Sequence, residues 1–219
     1  MRPSPPEVVI ATGNPGKVGE ITAILGAESL RLRSLADFPE VELPEEGEDY
    51  EANAVAKARA AALITGLPAL ADDSGLEVEA LGWGPGPGSA RYGGPGLDDA
   101  ARVARLLAAL RDSPAPSRRA RFVCVAALAT PDGRTAVARG ECAGQILPTA
   151  RGRGGFGYDP VFAPEGRAVS MAELPAEEKN RISHRGRAFR ALADAIRRLA
   201  GDGTARPGAP GRGGLRPPS

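Results

Sequence analysis

Cysteine is scarce here, and histidine scarcer: the 219 residues hold two cysteines and one histidine. Cys124 and Cys142 fall in separate strand-like runs, without the short spacing of a zinc site or a redox pair, and read as reduced core residues. Charge of one sign is missing as well. A formal net charge of +1 gives no bulk attraction to nucleic acid or to an anionic membrane, so any anion site must be local. No apolar run approaches the ~20 residues of a membrane span, and the proline-rich start has no signal-peptide core. These absences lead to the expectation of a cytoplasmic protein with no membrane or nucleic-acid partner.

What is abundant is glycine, at 29 residues, and proline, at 21. Much of the excess lies in Gly82-Trp83-Gly-Pro-Gly-Pro-Gly88, read as an ordered surface loop, and in 201–219, which repeats Gly, Pro and Arg and is expected to be a disordered tail. Residues 1–200 are expected to form a single domain. Within it, Glu7 to Thr12 is a β-branched run ending in Gly13-Asn-Pro-Gly16, and Lys17 to Leu25 carries apolar residues at helical spacing. Glu51 to Ile64 reads as a helix, and Leu67 to Ala71 as a short strand delivering a polar turn at Asp72-Asp73-Ser74-Gly75. Leu97 to Leu110 is helical, and Phe122–Thr130 and Thr135–Ala143 form a hairpin across Pro131-Asp-Gly133. Arg187 to Leu199 closes the chain as a helix. The pattern predicts an α/β fold with a mixed sheet flanked by helices.

Four polar constellations carry chemistry. Thr12-Gly13-Asn14-Pro15-Gly16-Lys17 joins a strand to a helix, where free N–H groups and the helix dipole favour phosphate. Its spacing is too short for a Walker loop and Val18 stands where a metal-binding hydroxyl would follow, which argues against a kinase-like transferase. Asp72 and Asp73 are adjacent in an extended segment, so only one should address a given site, as a base or as a Mg²⁺ ligand. Gly154-Gly-Phe156-Gly157-Tyr158-Asp159 flanks an aromatic ring with glycines, as a stacking platform for a flat ligand requires. Lys179 to Arg187 surrounds His184 and Arg185 with cations, either as an anion grip or as a solvated helix start capped by Ser183. Together these parts suit a nucleoside triphosphate with Mg²⁺.

Six motifs in order extend the inventory: Thr12-Gly-Asn-x-x-Lys17-x-x-Glu20-Ile21, Asn53-Ala-x-x-Lys57-Ala58, Ala71-Asp-Asp-Ser-Gly-Leu76, Ser89-Ala-Arg-Tyr92, Gly155-Phe-Gly-Tyr-Asp-Pro160 and Ser183-His-Arg-Gly186. Over roughly residues 7–200 the chain resembles the inosine/xanthosine triphosphate pyrophosphatases. The resemblance implies an elongated two-lobed fold with the active site in the cleft, a homodimer, and a Mg²⁺-dependent conversion of dITP, ITP or XTP to monophosphate and pyrophosphate. It casts Asp73 as general base and metal ligand, with Glu45 as second ligand and Glu46 or Glu42 as alternatives. Thr12 to Lys17 and Lys57 would hold phosphates, Ser74 would touch substrate, Phe156 to Asp159 would line the base pocket, and Lys179, His184 and Arg185 would contact the nucleotide. The chain departs from the family at Trp83 and Gly88 and in the acidic run around Glu45.

Overall fold

The computed structural model of the chain describes residues 5–26, 30–113 and 117–202. Seven strands form one mixed sheet. Its first strands are β1 (Glu7–Ile10), β2 (Arg31–Ser34) and β3 (Ala69–Val78), with β1 parallel to both neighbours. The long hairpin β5 (Arg119–Ala129) and β6 (Thr135–Ile146) continues it antiparallel, and β7 (Phe162–Pro164) closes the edge, in the order β2-β1-β3-β5-β6-β7. β4 (Gly84–Gly86) pairs only with the distal half of β3. Five α-helices cover the sheet: α1 (Pro15–Leu25), α2 (Tyr50–Thr65), α3 (Asp99–Asp112), α4 (Ala176–Ile182) and α5 (His184–Asp202).

Alternation along the strands divides the core. Val123, Val125 and Ala127 of β5 face the alanine side of α2, where Ala54, Ala58 and Ala61 let the helix lie close. Cys124, Ala126 and Leu128 face the opposite side, with Ile10 and Leu70 and with Phe189, Leu192 and Ile196 of α5. Full burial of a side chain such as Phe189 contributes about 2–3 kcal/mol. A third cluster, built on Leu76, Val78 and Phe122, receives Val103, Leu106 and Leu110 of α3. Both cysteines are free thiols within this interior, as their strand-like setting implied.

Two glycines set distances that position the site. A β-carbon on Gly140 of β6 would lie 2.2 Å from the carbonyl oxygen of His184 and 2.5 Å from the nitrogen of Ala188, so α5 packs directly on bare backbone. At Gly75 a β-carbon would fall 1.9 Å from the Gly86 carbonyl oxygen, which is what lets the 84–86 segment join the sheet. The structure corrects two expectations. Asp72-Asp73-Ser74-Gly75 is the middle of β3, paired with Val123–Ala126 of β5, because that long neighbour keeps supplying ladder partners past Ala71. The final helix starts at His184, not Arg187, with Ser183 Oγ accepting from the Gly186 N–H at 3.0 Å as its cap. The 201–219 tail lies largely outside the described residues, and among those that are described no helix is long and apolar enough to cross a membrane.

Candidate active site

A cavity of about 350 Å³ opens where the β1–α1 loop, the middle of β3 and the start of α5 meet. One end is built on Asp73. Its side chain comes from β3 almost fully buried; Oδ2 accepts 2.7 Å from Asn53 Nδ2 of α2, and Oδ1 accepts 3.0 Å from the Ser74 N–H. Burial pushes the Asp73 carboxyl above its ordinary range and Glu46 adds to the rise, against the opposing effects of Asn53 and the Lys57 charge. Lys57 Nζ lies between two carboxylates, 2.5 Å from Glu46 Oε1 and 3.7 Å from Asp73 Oδ1. Arg91 holds the other Glu46 oxygen at 3.0 Å.

Asp72 points the other way, as the alternation of an extended strand requires, and is fully buried. Its Oδ2 meets Lys17 Nζ at 3.2 Å, Arg185 at 3.1 Å and the Ser74 hydroxyl at 2.6 Å. Burial alone would raise this carboxyl; Lys17 and Arg185 outweigh it and hold Asp72 far below the usual carboxylate range. Arg185 also reaches Glu20 of α1 at 2.5 Å, and Glu20 in turn pairs with Lys179 at 2.7 Å. Two carboxylates outside the cavity lining, Asp72 and Glu20, thus hold cations of α1, α4 and α5.

At the other end, Asp159 folds the glycine loop back on itself. Its Oδ2 accepts from the Phe156 N–H at 2.9 Å and from Lys179 Nζ, which locks the aromatic residue over the cavity. Lys179 Nζ and Arg185 Cζ lie 5.0 and 5.6 Å from the Phe156 ring centroid. Tyr158 donates to the Ser89 carbonyl at 2.9 Å, tying this loop to the segment after β4. His184 is buried and stacks on Phe122, centroids 4.7 Å apart and planes 11° apart. Burial, aided by the adjacent Arg185 charge, pushes the imidazole well below its ordinary value, so it is neutral at pH 7. His184 Nδ1 and Arg185 Nε are buried without a hydrogen-bond partner among the described residues. Such groups are costly to leave unmet.

Most residues singled out in the sequence converge here: Thr12, Gly13, Asn14, Lys17, Lys57, Asp73, Ser74, Phe156 to Asp159, Lys179, His184 and Arg185 all line the cavity. Pro15 and Gly16 do not. Pro15 begins α1, and the Gly16 and Lys17 N–H groups, expected to be free for phosphate, are taken by the Asn14 side chain at 2.9 and 3.3 Å. Within the acidic run, Glu46 lines the cavity, whereas Glu45, the first choice from the sequence, is exposed and does not line it. Sequence reading missed Asp99 and Arg102 of α3, which complete the wall from a helix read only for its apolar face. The Asp99 carboxylate accepts 2.7 Å from the Gly157 N–H, a link between distant segments that no local pattern announces.

Comparison with known proteins agrees with this geometry. The Ham1 family model matches residues 8–195. A dITP/XTP pyrophosphatase of Deinococcus deserti is 54% identical over 187 residues, covering 85% of this chain and 87% of that protein. One from Geobacter sulfurreducens is 51% identical over 188 residues, covering 85% and 94%. Among solved structures, a HAM1 protein from Coxiella burnetii superposes with a TM-score of 0.79 at 40% identity, covering 87% of this chain and 98% of that one. A nucleoside-triphosphatase / dITP/XTP pyrophosphatase from Mycobacterium abscessus gives 0.68 at 48% identity, covering 85% and 98%. A cavity with a carboxylate and lysines at one end and an aromatic loop with His184 and Arg185 at the other thus sits in a chain that belongs to the Ham1 family.

Proposed function

We propose that the protein hydrolyses deaminated purine nucleoside triphosphates, dITP, ITP and XTP, to the monophosphate and pyrophosphate, and so keeps them out of DNA and RNA. The observation that carries this reading is the polarity of the cavity: a buried carboxylate flanked by lysines at one end, an aromatic platform and unmet buried polar atoms at the other. In this reading Asp73 accepts a proton from water as the water oxygen bonds to the α-phosphorus. The bond from that phosphorus to the bridging oxygen breaks, and pyrophosphate leaves with its charge met by Lys17 and Lys57. Thr12 and Gly13 border the phosphates, and Ser74 contacts the substrate. The raised Asp73 carboxyl is a stronger base than an ordinary aspartate.

Mg²⁺ belongs to the same proposal. Lys57 lying between Asp73 and Glu46 supports a place for positive charge there, and hard cations take oxygen ligands. Among the described residues no group of three His, Cys, Asp or Glu is placed to hold a metal, so Asp73 and a glutamate of the 45–46 step would share the ion with substrate oxygens. Glu46 faces Asp73 but is engaged by Lys57 and Arg91; Glu45 is the neighbouring alternative. When bound, the ion neutralises triphosphate charge and polarises the reacting phosphoryl group.

Selectivity rests on the base end. The 6-oxo group of hypoxanthine or xanthine accepts hydrogen bonds where adenine presents an amino donor, and a pocket that offers donors at that position is satisfied by the first and stranded by the second. The cleft between two lobes, the homodimer and a cytoplasmic location complete the reading. Its support is the family membership and a cavity wall drawn from both α1/α5 and α3. Incubation with ITP, XTP or ATP and Mg²⁺, with product analysis, tests the activity. IMP and pyrophosphate in equal amounts are expected from ITP, and IDP with inorganic phosphate would refute the reading. Sedimentation tests the dimer.

A further inference from the structure

Five cations line the cavity, and they differ in how far they are already committed. Lys17 is held by Asp72 at 3.2 Å, Lys57 by Glu46 at 2.5 Å, Lys179 by Glu20 at 2.7 Å, and Arg185 by Glu20 and Asp72 at 2.5 and 3.1 Å. Arg102 is the exception. Its nearest carboxylate is Asp99 on its own helix, at 3.5 Å, beyond a strong charge-assisted bond, and that aspartate already accepts from the Gly157 N–H at 2.7 Å. The Arg102 side chain is only 19% exposed, and its Nε is buried with no hydrogen-bond partner among the described residues. A guanidinium carries five donors in a fixed fork, and its partial burial here leaves water little access to them.

We propose that Arg102 is a substrate-binding residue that receives an anionic oxygen of the triphosphate chain. This rests on the triphosphate reading of the same cavity. Each of the other four cations is held by a carboxylate at 3.2 Å or less, whereas Arg102 is held only by the longer 3.5 Å pair with Asp99. A guanidinium held by one loose ion pair is matched by phosphate oxygen, bidentate and charged, better than by a neutral ribose hydroxyl or a base carbonyl. Its place on α3 supplies a contact from a different element than those bearing Lys17 and Arg185, and the Asp99 link to Gly157 ties that contact to the loop bearing Phe156.

The test uses the full chain, its R102Q and R102K variants, and three probes: ITP, inosine and inorganic tripolyphosphate. R102Q is expected to raise KM for ITP and weaken tripolyphosphate binding by about tenfold, the loss of one charge-assisted bond. Inosine affinity is expected to change less than twofold, with R102K intermediate for the two polyanions. Equal weakening of inosine and ITP would move Arg102 to the nucleoside side and overturn the proposal, as would unchanged tripolyphosphate binding. Tripolyphosphate binding requires neither turnover nor a base, so it decides the role of Arg102 even if ITP is not hydrolysed, an outcome that would instead sink the proposed activity.

Discussion

Gly16 and Phe156 are in contact across the cavity's edge: a β-carbon on Gly16 would lie 2.6 Å from Cδ1 of the phenyl ring. The start of α1 and the Phe156 loop are thus one packed unit, and the residue that joins them has no side chain.

Replacing Gly16 with Ala should displace the Phe156 ring. The backbone there has ordinary helical geometry and Ala favours a helix over Gly by about 1 kcal/mol, so stability should hold or rise. We expect kcat/KM for ITP to fall by about tenfold, the scale of a lost aromatic contact, with no drop in melting temperature. A variant that unfolds early would show that the contact is structural.

Asp73→Asn should lower kcat by about 10²–10⁴-fold while nucleotide binding persists, because the amide keeps the shape but cannot take the proton. In the wild-type protein the acid limb of kcat/KM should lie above the ~3.9 of an ordinary aspartate, in the direction burial pushes Asp73. Pre-steady-state and pH-rate measurements check both.

Asp72→Asn should leave Lys17 and part of Arg185 buried without their counter-charge. Breaking such a buried network costs about 3 kcal/mol, readable by urea unfolding at pH 7. The folded-state carboxyl is depressed, so its contribution is present above about pH 4, where the unfolded aspartate is also ionised, and is lost as pH falls below that. D72N should show a shallower loss of stability between about pH 4 and pH 2 than wild type.

His184 should titrate well below the ~6.5 of a free imidazole, since burial and Arg185 keep it neutral. It is the only histidine, so its ring proton resonances in an untagged protein report this without assignment. An inflection near 6.5 would contradict the stacked, buried ring. His184→Ala should lower ITP turnover and reduce the ITP-to-ATP ratio of kcat/KM; an unchanged ratio would leave the residue a packing role against Phe122.

The sequence disclosed much of this because its signals were local. The glycine turn before α1, the alanine run of α2 and the Pro-Asp-Gly hairpin each carry their geometry in neighbouring residues. Where partners are remote, it was silent. The polar Asp72 to Gly75 looked like a turn because nothing nearby reveals that β5 pairs along it, and the same pairing buries Asp72 as an anchor. Asp99 and Arg102 look like ordinary solvated positions of an amphipathic helix, and only the fold brings Gly157 to them. That Glu46 lines the cavity and Glu45 does not is set by the fold around α2, which acidic composition cannot encode.

The bare backbone of Gly140 works as a mechanical stop beneath the carbonyl of His184. Helix–sheet spacing is usually a sum of side chains that can repack, but here one stretch of main chain rests on another and no rotamer can absorb a change. The depth of the cavity at His184 and Arg185 is therefore gauged by peptide geometry, and a single methyl group at position 140 would lift the whole first turn of α5, both residues together.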